Sequence, residues 1–264
     1  MAEIKSKQDE NRVKLEEVVP LETPFVLQLA VASACNYGCK YCPASATDLL
    51  KAHNVKGGVM KYDLFCKIID DLEMFPEKIK VLRLVKEGEP LLNKRLPDMI
   101  RYAKSRQPDV MVDTTTNAHL LSKDVSDQLI DAGLDKIHIS LQGITNESYK
   151  RVAGVDLEFS DVIERVKYFF ENRRECKVYV KVPDVGISEA EQPVFYDLFD
   201  KIADEVFVER MVPTWPDFDF TDFKSDDGLG YYGQPVLEHD VNVCSPIFYW
   251  MVLNHDGTAS PCVV

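Results

Sequence analysis

The sequence predicts an α/β protein with a parallel sheet that closes as a barrel or partial barrel. The chain has 264 residues and 45% hydrophobic content, enough for one sizeable core or two small ones. Short apolar runs alternate with helical patterns through six units, and such a series implies right-handed crossovers between parallel strands. A doubly wound sheet gives the same one-dimensional pattern and is the alternative.

Six short apolar runs, each rich in Val, Ile or Leu, predict the strands. In chain order they are residues 25–31, 79–85, 110–115, 136–141, 176–182 and 205–210. Five stretches between them carry apolar residues at the spacing of an amphipathic helix. These are residues 62–75, 96–105, 123–132, 161–172 and 193–203. Catalytic groups are then expected at the carboxyl ends of the strands.

The segments outside this series differ in composition. Residues 1–21 form a polar, highly charged leader, and residues 212–243, rich in Pro, Gly, Asp and aromatic residues, predict a linker. Residues 247–253 predict a strand, the Asp-Gly pair at 256–257 a hairpin turn, and a second strand runs into Cys262. Because the chain stops two residues later, within an apolar strand, the sequence looks like the front part of a longer protein.

The charge balance excludes several classes of partner. Lys plus Arg total 31 against 44 Asp plus Glu, which gives a net charge of −13 at pH 7. A surface this acidic repels phosphate backbones and anionic lipid, and the leader offers no membrane anchor. We therefore expect a cytoplasmic protein with neither nucleic acid nor a membrane as its partner.

Three of the seven cysteines, Cys35, Cys39 and Cys42, form a CxxxCxxC run directly after the first predicted strand. Seven is an odd number for a disulfide framework, so metal binding, reactivity or packing is favoured. Three thiolates on one loop can each bind one iron of a cubane and leave the fourth iron open to substrate or cofactor. A structural zinc site is the alternative, but zinc takes four ligands and His53 is the only candidate nearby.

With Tyr41 before its last cysteine, this run closely resembles the signature of the radical S-adenosylmethionine (SAM) superfamily. The resemblance covers most of the chain and implies a partial (βα)6 barrel of the radical SAM type at residues 22–211. It also implies that Cys35, Cys39 and Cys42 hold a 4Fe–4S cluster whose open iron binds SAM. One electron, from a flavodoxin- or ferredoxin-type donor, would then cleave SAM to a 5′-deoxyadenosyl radical that abstracts hydrogen.

Further segments resemble the motifs of that superfamily in the right order. Glu87-Gly88-Glu89-Pro90 follows the second strand and is similar to the GGEP motif, whose backbone and carboxylate meet the SAM amino group. Glu87 stands in place of the first glycine and adds a charge there. The resemblance implies this SAM-binding set: Tyr41 beside the adenine, Gly88, Glu89 and Pro90 at the amino group, Asn117 after the third strand, and Ser140 and Gln142 at the end of the fourth, near the ribose and carboxylate.

The other four cysteines divide into two pairs. Cys244 and Cys262 flank the predicted hairpin and resemble the opening of a SPASM or twitch extension, which in related enzymes holds an auxiliary 4Fe–4S cluster. At least two more ligands are needed, so residues 244–264 are interpreted as an incomplete extension whose cluster forms only in a longer chain. Cys66, in a predicted helix, and Cys176, in a predicted strand, are expected to be small packing residues.

The leading hypothesis is a radical SAM enzyme of the oxidoreductase type. The overall pattern resembles uncharacterised SPASM-type proteins encoded near bacterial surface-polysaccharide genes, which implies a carbohydrate substrate and an oxidation such as alcohol to ketone on a sugar or cyclitol. A SPASM-type enzyme that modifies a ribosomal peptide is the second hypothesis. The rival from another class is a non-catalytic iron–sulfur or zinc protein, which would need neither Asn117 nor six βα units.

Overall fold

A nine-stranded sheet organises the computed structural model, which describes residues 1–5, 13–52, 57–212, 215, 217–219, 222, 229–230, 244–260 and 262. Within these residues the strands are β1 (Glu3–Ile4), β2 (Val26–Leu29), β3 (Val81–Arg83), β4 (Met111–Thr116), β5 (Lys136–Ser140), β6 (Lys177–Pro183), β7 (Glu205–Glu209), β8 (Trp250–Leu253) and β9 (Ala259–Ser260). Their spatial order is β1-β7-β6-β5-β4-β3-β2-β8-β9, and all neighbours are parallel except β8 with β9. Strands β2 to β7 lie side by side in chain order, as in a (βα) barrel, whereas a doubly wound sheet would reverse direction.

Helices follow the strands and pack on one another along the outside of the sheet. Those of the described segments are α1 (Thr47–Ala52), α2 (Tyr62–Asp71), α3 (Leu96–Arg106), α4 (Lys123–Ala132), α5 (Asn146–Ala153), α6 (Phe159–Asn172) and α7 (Gln192–Phe199). Helix α3 packs between α2 and α4, and α4 in turn contacts α6. In the same part of the chain no helix is long and apolar enough to cross a membrane.

Successive residues of each strand face opposite sides of the sheet. One side packs against the helices and is apolar, with Leu27, Leu82 and Val112 in the main core. The opposite side faces the barrel interior and is polar. The strand residues on this side include Gln28, Arg83, Asp113, His138, Tyr179 and Lys181. Its charges are paired, since buried charge is costly otherwise: Arg83 donates to Asp113 from Nε (2.8 Å) and Nη2 (2.6 Å).

The six predicted strands and five predicted helices are all present, and helix α4 has the predicted bounds. The predicted strand at 247–253 is wrong in its first half, because a 3-10 turn at Ser245–Phe248, with Pro246 in its first turn, precedes β8. Three elements were missed, namely α1, α5 and β1. Each is short, and β1 has only two residues, too few to show a period.

The predicted hairpin is confirmed in β8 and β9. Val252 pairs with Ser260, and Gly257 adopts a left-handed φ of +89°, which the Asp-Gly signal requires. Strand β8 also pairs with β2, so the hairpin extends the barrel sheet at the strand that leads into the cysteine loop. Most of the predicted linker at 212–243 lies outside the described residues.

Candidate functional site

The cysteine loop follows β2 at the carboxyl edge of the sheet and is held there by helix α5. The amides of Gly38 and Lys40 donate to the carbonyls of Ala153 (3.0 Å) and Val152 (2.9 Å) at the end of that helix. Inside the loop, the Ser45 hydroxyl lies 2.7 Å from the carbonyl oxygens of both Cys39 and Cys42. A helix that the sequence analysis missed therefore anchors the most informative motif of the chain.

The three thiols of the loop differ in exposure but share one electrostatic environment. Cys35 is exposed, Cys42 is half-buried and Cys39 is buried. Desolvation raises the pKa of each thiol, including that of Cys35, whose sulfur is partly surrounded by protein although the residue is exposed, and the neighbouring thiols raise the pKa of Cys39 further, to about 12. Without a metal these groups are therefore protonated at neutral pH, whereas a bound cation would stabilise the thiolates.

This donor set fits a 4Fe–4S cluster better than a single zinc ion. In the described part of the chain, no three His, Cys, Asp or Glu side chains converge on one ion position, as a mononuclear site requires. A cubane has no such requirement, since each thiolate binds a different iron. His53, the additional zinc candidate, lies outside the described residues.

The end of β5 is tied to the cysteine loop through Gln142. Its Oε1 accepts hydrogen bonds from the Tyr41 hydroxyl and from the Cys39 thiol, the latter at 3.4 Å. Its Nε2 donates to the carbonyl of Ser140 at 3.0 Å, which fixes the amide orientation. Burial raises the pKa of Tyr41 well above its usual range, so the phenol stays a hydrogen-bond donor. Two residues expected at the SAM site, Tyr41 and Gln142, are thus in direct contact.

The loop at residues 87–90 packs backbone to backbone against the start of the cysteine loop. The amide of Glu89 donates to the carbonyl of Ala34 at 2.9 Å. A Cβ added at Gly88 would lie 2.4 Å from that same oxygen and 2.5 Å from the carbonyl oxygen of Ala32. Only glycine permits this approach, so the middle residue of the motif is required by packing. Pro90 begins the 3-10 turn that follows.

The Glu89 carboxylate is directed into the protein. It is buried and accepts three hydrogen bonds, from the amides of Leu91 (3.0 Å) and Asn117 (2.8 Å) and from the Thr116 hydroxyl (2.7 Å). Burial nevertheless raises its pKa. In this arrangement the side chain joins the loop after β3 to the end of β4. The contact of this loop with the SAM amino group stays a prediction.

Glu87, which replaces the first glycine of the motif, does not leave an isolated charge. Its carboxylate pairs with the Lys86 ammonium at 2.6 Å, and both side chains are largely buried. Its proximity contributes to the raised pKa of Cys42, after burial and Cys35. The extra charge that the sequence analysis noted is therefore paired within the same loop.

Asn117 reaches the cysteine loop from the end of β4. Its Nδ2 donates to the Asn36 side chain at 2.8 Å and lies 4.0 Å from the Cys35 sulfur. Its Oδ1 accepts from the amide of His119 at 3.0 Å, which sets the orientation of the amide group. Sequence reasoning missed Asn36; its only signal was its place inside the cysteine motif.

The structure does not bring Cys244 and Cys262 to the other three cysteines. They lie before β8 and after β9, at the end of the hairpin away from its turn. Because β8 is parallel to β2, this end is at the amino edge of the sheet, while the CxxxCxxC loop is at the carboxyl edge. Ser140, also expected at the site, ends β5 half-buried beside Lys181 of β6.

A sequential parallel sheet with a three-cysteine loop at its carboxyl edge defines a barrel protein of the iron–sulfur class. The family model of the radical SAM superfamily matches residues 29–192, more than half of the chain. The chain belongs to the radical SAM superfamily. The cofactors of that superfamily, a 4Fe–4S cluster and SAM, are those of this chain.

Curated relatives carry several different names. A tungsten-containing aldehyde ferredoxin oxidoreductase cofactor-modifying protein of Pyrococcus furiosus is 28% identical over 200 residues, which cover 72% of this chain and 52% of the relative. A probable GTP 3′,8-cyclase of Methanococcus maripaludis is 36% identical over 197 residues, or 72% of this chain and 60% of the relative. The chain thus spans roughly half to three fifths of the length of these relatives.

Solved structures show the same fold. Streptococcus suis SuiB bound to S-adenosylmethionine matches with a TM-score of 0.58 and 16% identity, covering 94% of this chain and 62% of that chain. The structure of anSMEcpe with bound AdoMet matches with a TM-score of 0.56 and 19% identity, covering 76% of this chain and 53% of that chain. These likenesses agree with the partial barrel that the sequence predicted.

Proposed function

We propose that this chain is the catalytic barrel of a radical SAM enzyme that abstracts hydrogen from a substrate bound in the barrel interior. The observation that carries the proposal is the meeting of four loops at one edge of the sheet. The cysteine loop contacts the loop at 87–90, Asn117 and Gln142, which follow β3, β4 and β5. In (βα) barrels this edge carries the chemistry.

In this proposal Cys35, Cys39 and Cys42 are the three cluster ligands. When bound, the cluster and SAM supply a 5′-deoxyadenosyl radical that abstracts a substrate hydrogen. The chain contributes the SAM-binding set: Tyr41, the backbone of Gly88, Glu89 and Pro90, Asn117, Ser140 and Gln142. The barrel wall excludes water from the reacting groups. A flavodoxin- or ferredoxin-type protein is the proposed electron donor.

We propose a hydroxylated small molecule, a sugar or cyclitol, as the substrate. The barrel interior is polar and contains paired charges near its carboxyl end, where Lys181 Nζ and Glu209 Oε2 lie 2.5 Å apart. Hydroxyl groups can both donate to and accept from such side chains. An oxidation requires an electron acceptor, and Cys244 and Cys262 are proposed as two ligands of an auxiliary cluster that needs further ligands.

The proposed domain organisation follows from these roles. The barrel occupies residues 22–211 after a leader at 1–21, and a linker at 212–243 connects it to the opening of a SPASM or twitch segment at 244–264. The matched region covers only 52% and 60% of two curated relatives. The activity of the whole protein is therefore proposed here together with that of the barrel.

The decisive experiment measures 5′-deoxyadenosine from anaerobically reconstituted, dithionite-reduced protein supplied with SAM. The parent should form it and bind about four irons per site. A Cys35/Cys39/Cys42 to Ala variant should do neither, while Cys176→Ala, which alters a buried cysteine away from the loop, should behave as the parent. Iron binding without any 5′-deoxyadenosine would refute the enzyme proposal and favour an electron carrier.

The substrate is then sought by incubating the active protein with unlabelled SAM and, one at a time, a panel of deuterated candidate substrates. The panel contains sugars, cyclitols, peptides and GTP, the last because relatives are named GTP 3′,8-cyclases. Deuterium in 5′-deoxyadenosine identifies the molecule that is attacked. Transfer from a peptide or from GTP, with none from any sugar or cyclitol, would overturn the carbohydrate proposal.

A further inference from the structure

The turn between β8 and β9 touches both loops that flank the proposed cofactor site. His255 Nδ1 lies 3.1 Å from the Ser33 hydroxyl, two residues before Cys35. The neighbouring Asn254 accepts a hydrogen bond from Lys86 Nζ at 3.2 Å, two residues before Gly88. A single turn of the hairpin therefore spans the start of the cysteine loop and the start of the loop at 87–90.

The contact with Ser33 is closely packed. The amide of Ser33 donates to the carbonyl of Gly58 at 2.9 Å, and the amide of Gly58 donates back to the Ser33 hydroxyl at 3.1 Å. A Cβ added at Gly58 would lie 2.5 Å from His255 Nε2. The imidazole thus packs directly on the backbone of Gly58 while its other nitrogen contacts Ser33, so the ring touches both members of this hydrogen-bonded pair.

Hydrogen bonds within the hairpin hold the conformation of the turn. Asn254 Nδ2 donates to the hydroxyls of Thr258 (3.0 Å) and Ser260 (2.9 Å), which leaves its Oδ1 towards Lys86. The Lys86 ammonium is held in addition by Glu87 at 2.6 Å. The contact of Asn254 with Lys86 therefore joins two groups whose orientation is already set by other interactions. At the other contact the Ser33 hydroxyl is set by Gly58, and the His255 ring is held by packing against the same glycine, so both contacts can fix the position of the loops that they reach.

We propose that His255 and Asn254 are positioning residues: the hairpin turn holds the cysteine loop and the loop at 87–90 at a defined separation and thereby sets the affinity for SAM. The inference rests on the proposed function of these two loops. It assigns a role to the turn that is independent of any ligand held by Cys244 or Cys262, which lie at the other end of the hairpin.

The test compares His255→Ala with Met251→Ala. Met251 is a half-exposed residue on the outer face of β8, so its truncation weakens the hairpin without touching either loop. Amide hydrogen exchange of the protein without cofactors is read at Ser33, Gly58 and Glu89. His255→Ala should accelerate exchange there by about tenfold, as expected for one lost hydrogen bond and its packing, and Met251→Ala should not.

Reconstituted proteins then supply a second readout. At equal iron content, His255→Ala should bind SAM about tenfold more weakly than the parent, and His255→Asn should restore the affinity because its amide can take the place of Nδ1 opposite Ser33. Unchanged exchange and SAM affinity in His255→Ala, or equal effects of Met251→Ala, would overturn the inference. If the parent forms no 5′-deoxyadenosine, the proposed function fails, and the exchange result alone decides whether the turn orders the loops.

Discussion

At the scale of single residues, Gly88 is where backbone packing and proposed chemistry coincide. A Cβ there would lie 2.4–2.5 Å from the carbonyl oxygens of Ala34 and Ala32, neither of which can move without shifting the cysteine loop. We expect Gly88→Ala to lower the free energy of unfolding by about 1–3 kcal/mol and to weaken SAM binding. Urea unfolding and SAM titration measure the two effects.

Gly57→Ala is the matched control for that substitution. A Cβ at Gly57 would meet nothing within 4 Å, so the same chemical change adds no clash. We expect its free energy of unfolding to stay within about 0.5 kcal/mol of the parent. Equal stability of the two variants would mean that the loop at 87–90 does not need the close approach at Gly88.

The buried thiol of Cys176 should make the free energy of unfolding depend on pH. Burial, with a contribution from the carboxylates of Asp135 and Asp204, raises its pKa from 9.0 to about 12. Above pH 9 the unfolded chain loses this proton while the folded chain keeps it, so the folded state binds more protons and stability falls as pH rises towards 12. The parent should therefore lose up to about 1.4 kcal/mol per pH unit more than Cys176→Ala in this range.

Urea unfolding at pH 8, 9, 10 and 11 checks this, with metal-free protein in both cases. The absolute stabilities differ because the alanine leaves a small cavity, and only the slopes against pH are compared. Parallel slopes for the parent and the variant would show that the Cys176 thiol does not hold its proton in the folded state.

At the scale of elements, Glu89 joins the carboxyl ends of β3 and β4. Its carboxylate accepts from two amides and one hydroxyl and is 2% exposed. Glu89→Gln replaces one acceptor oxygen by an NH2 group that faces donors, so we expect the free energy of unfolding to fall by about 1–3 kcal/mol. The displaced amide of Asn117 should also weaken SAM binding, which isothermal titration can follow.

Glu147→Gln provides the comparison, because Glu147 lies at the exposed first turn of α5. The same loss of charge should there change stability by less than about 0.5 kcal/mol. An equally small effect at Glu89 would indicate that its carboxylate is not needed to hold the two loops together.

Elements with a long, regular pattern could be predicted from the sequence. Helix α4 has the bounds that its apolar spacing predicts, and the structure shows the Ser122 hydroxyl capping its start and Gly133 at φ +87° ending it. Helix α5 is absent from the prediction because most of its eight residues are polar or charged, although Thr145 and Gly154 mark its ends. Helix α7 also has eight residues, and it is predicted because its sequence is more apolar.

The sequence alone indicates the cysteine motif of the candidate site but not the contacts that surround it. Cys35, Cys39 and Cys42 lie within eight consecutive residues, so their spacing can be recognised directly in the sequence. The bond from Cys39 to Gln142 joins residues 103 positions apart, and the contact of Ser33 with His255 joins residues 222 positions apart. Such pairs depend on strand order and register, which a linear pattern does not specify.

At the scale of the whole molecule, the described ends of the chain cover the two edges of the barrel sheet. Strand β1 pairs with β7, and β8 pairs with β2. An uncovered strand edge exposes unpaired amides and carbonyls and invites aggregation. The two terminal strands are integrated into the sheet to different extents. Strand β1 has only two residues, both exposed, whereas β8 pairs with β2 along four residues and its Val252 is fully buried.

Because Ile4 of β1 is exposed and Val252 of β8 is buried, we expect Ile4→Asp and Val252→Asp to change the free energy of unfolding by very different amounts. Ile4 is 62% exposed, so a carboxylate there stays hydrated, and the stability should change by less than about 0.5 kcal/mol. Val252 is buried between Gln28 and Ser260, and a carboxylate there should cost about 3 kcal/mol or more. If the hairpin is an integral part of the sheet, Val252→Asp should lower the unfolding midpoint of the whole protein in one cooperative transition. A separate early transition, or a midpoint equal to that of Ile4→Asp, would instead mean that β8 and β9 are only loosely attached to the barrel.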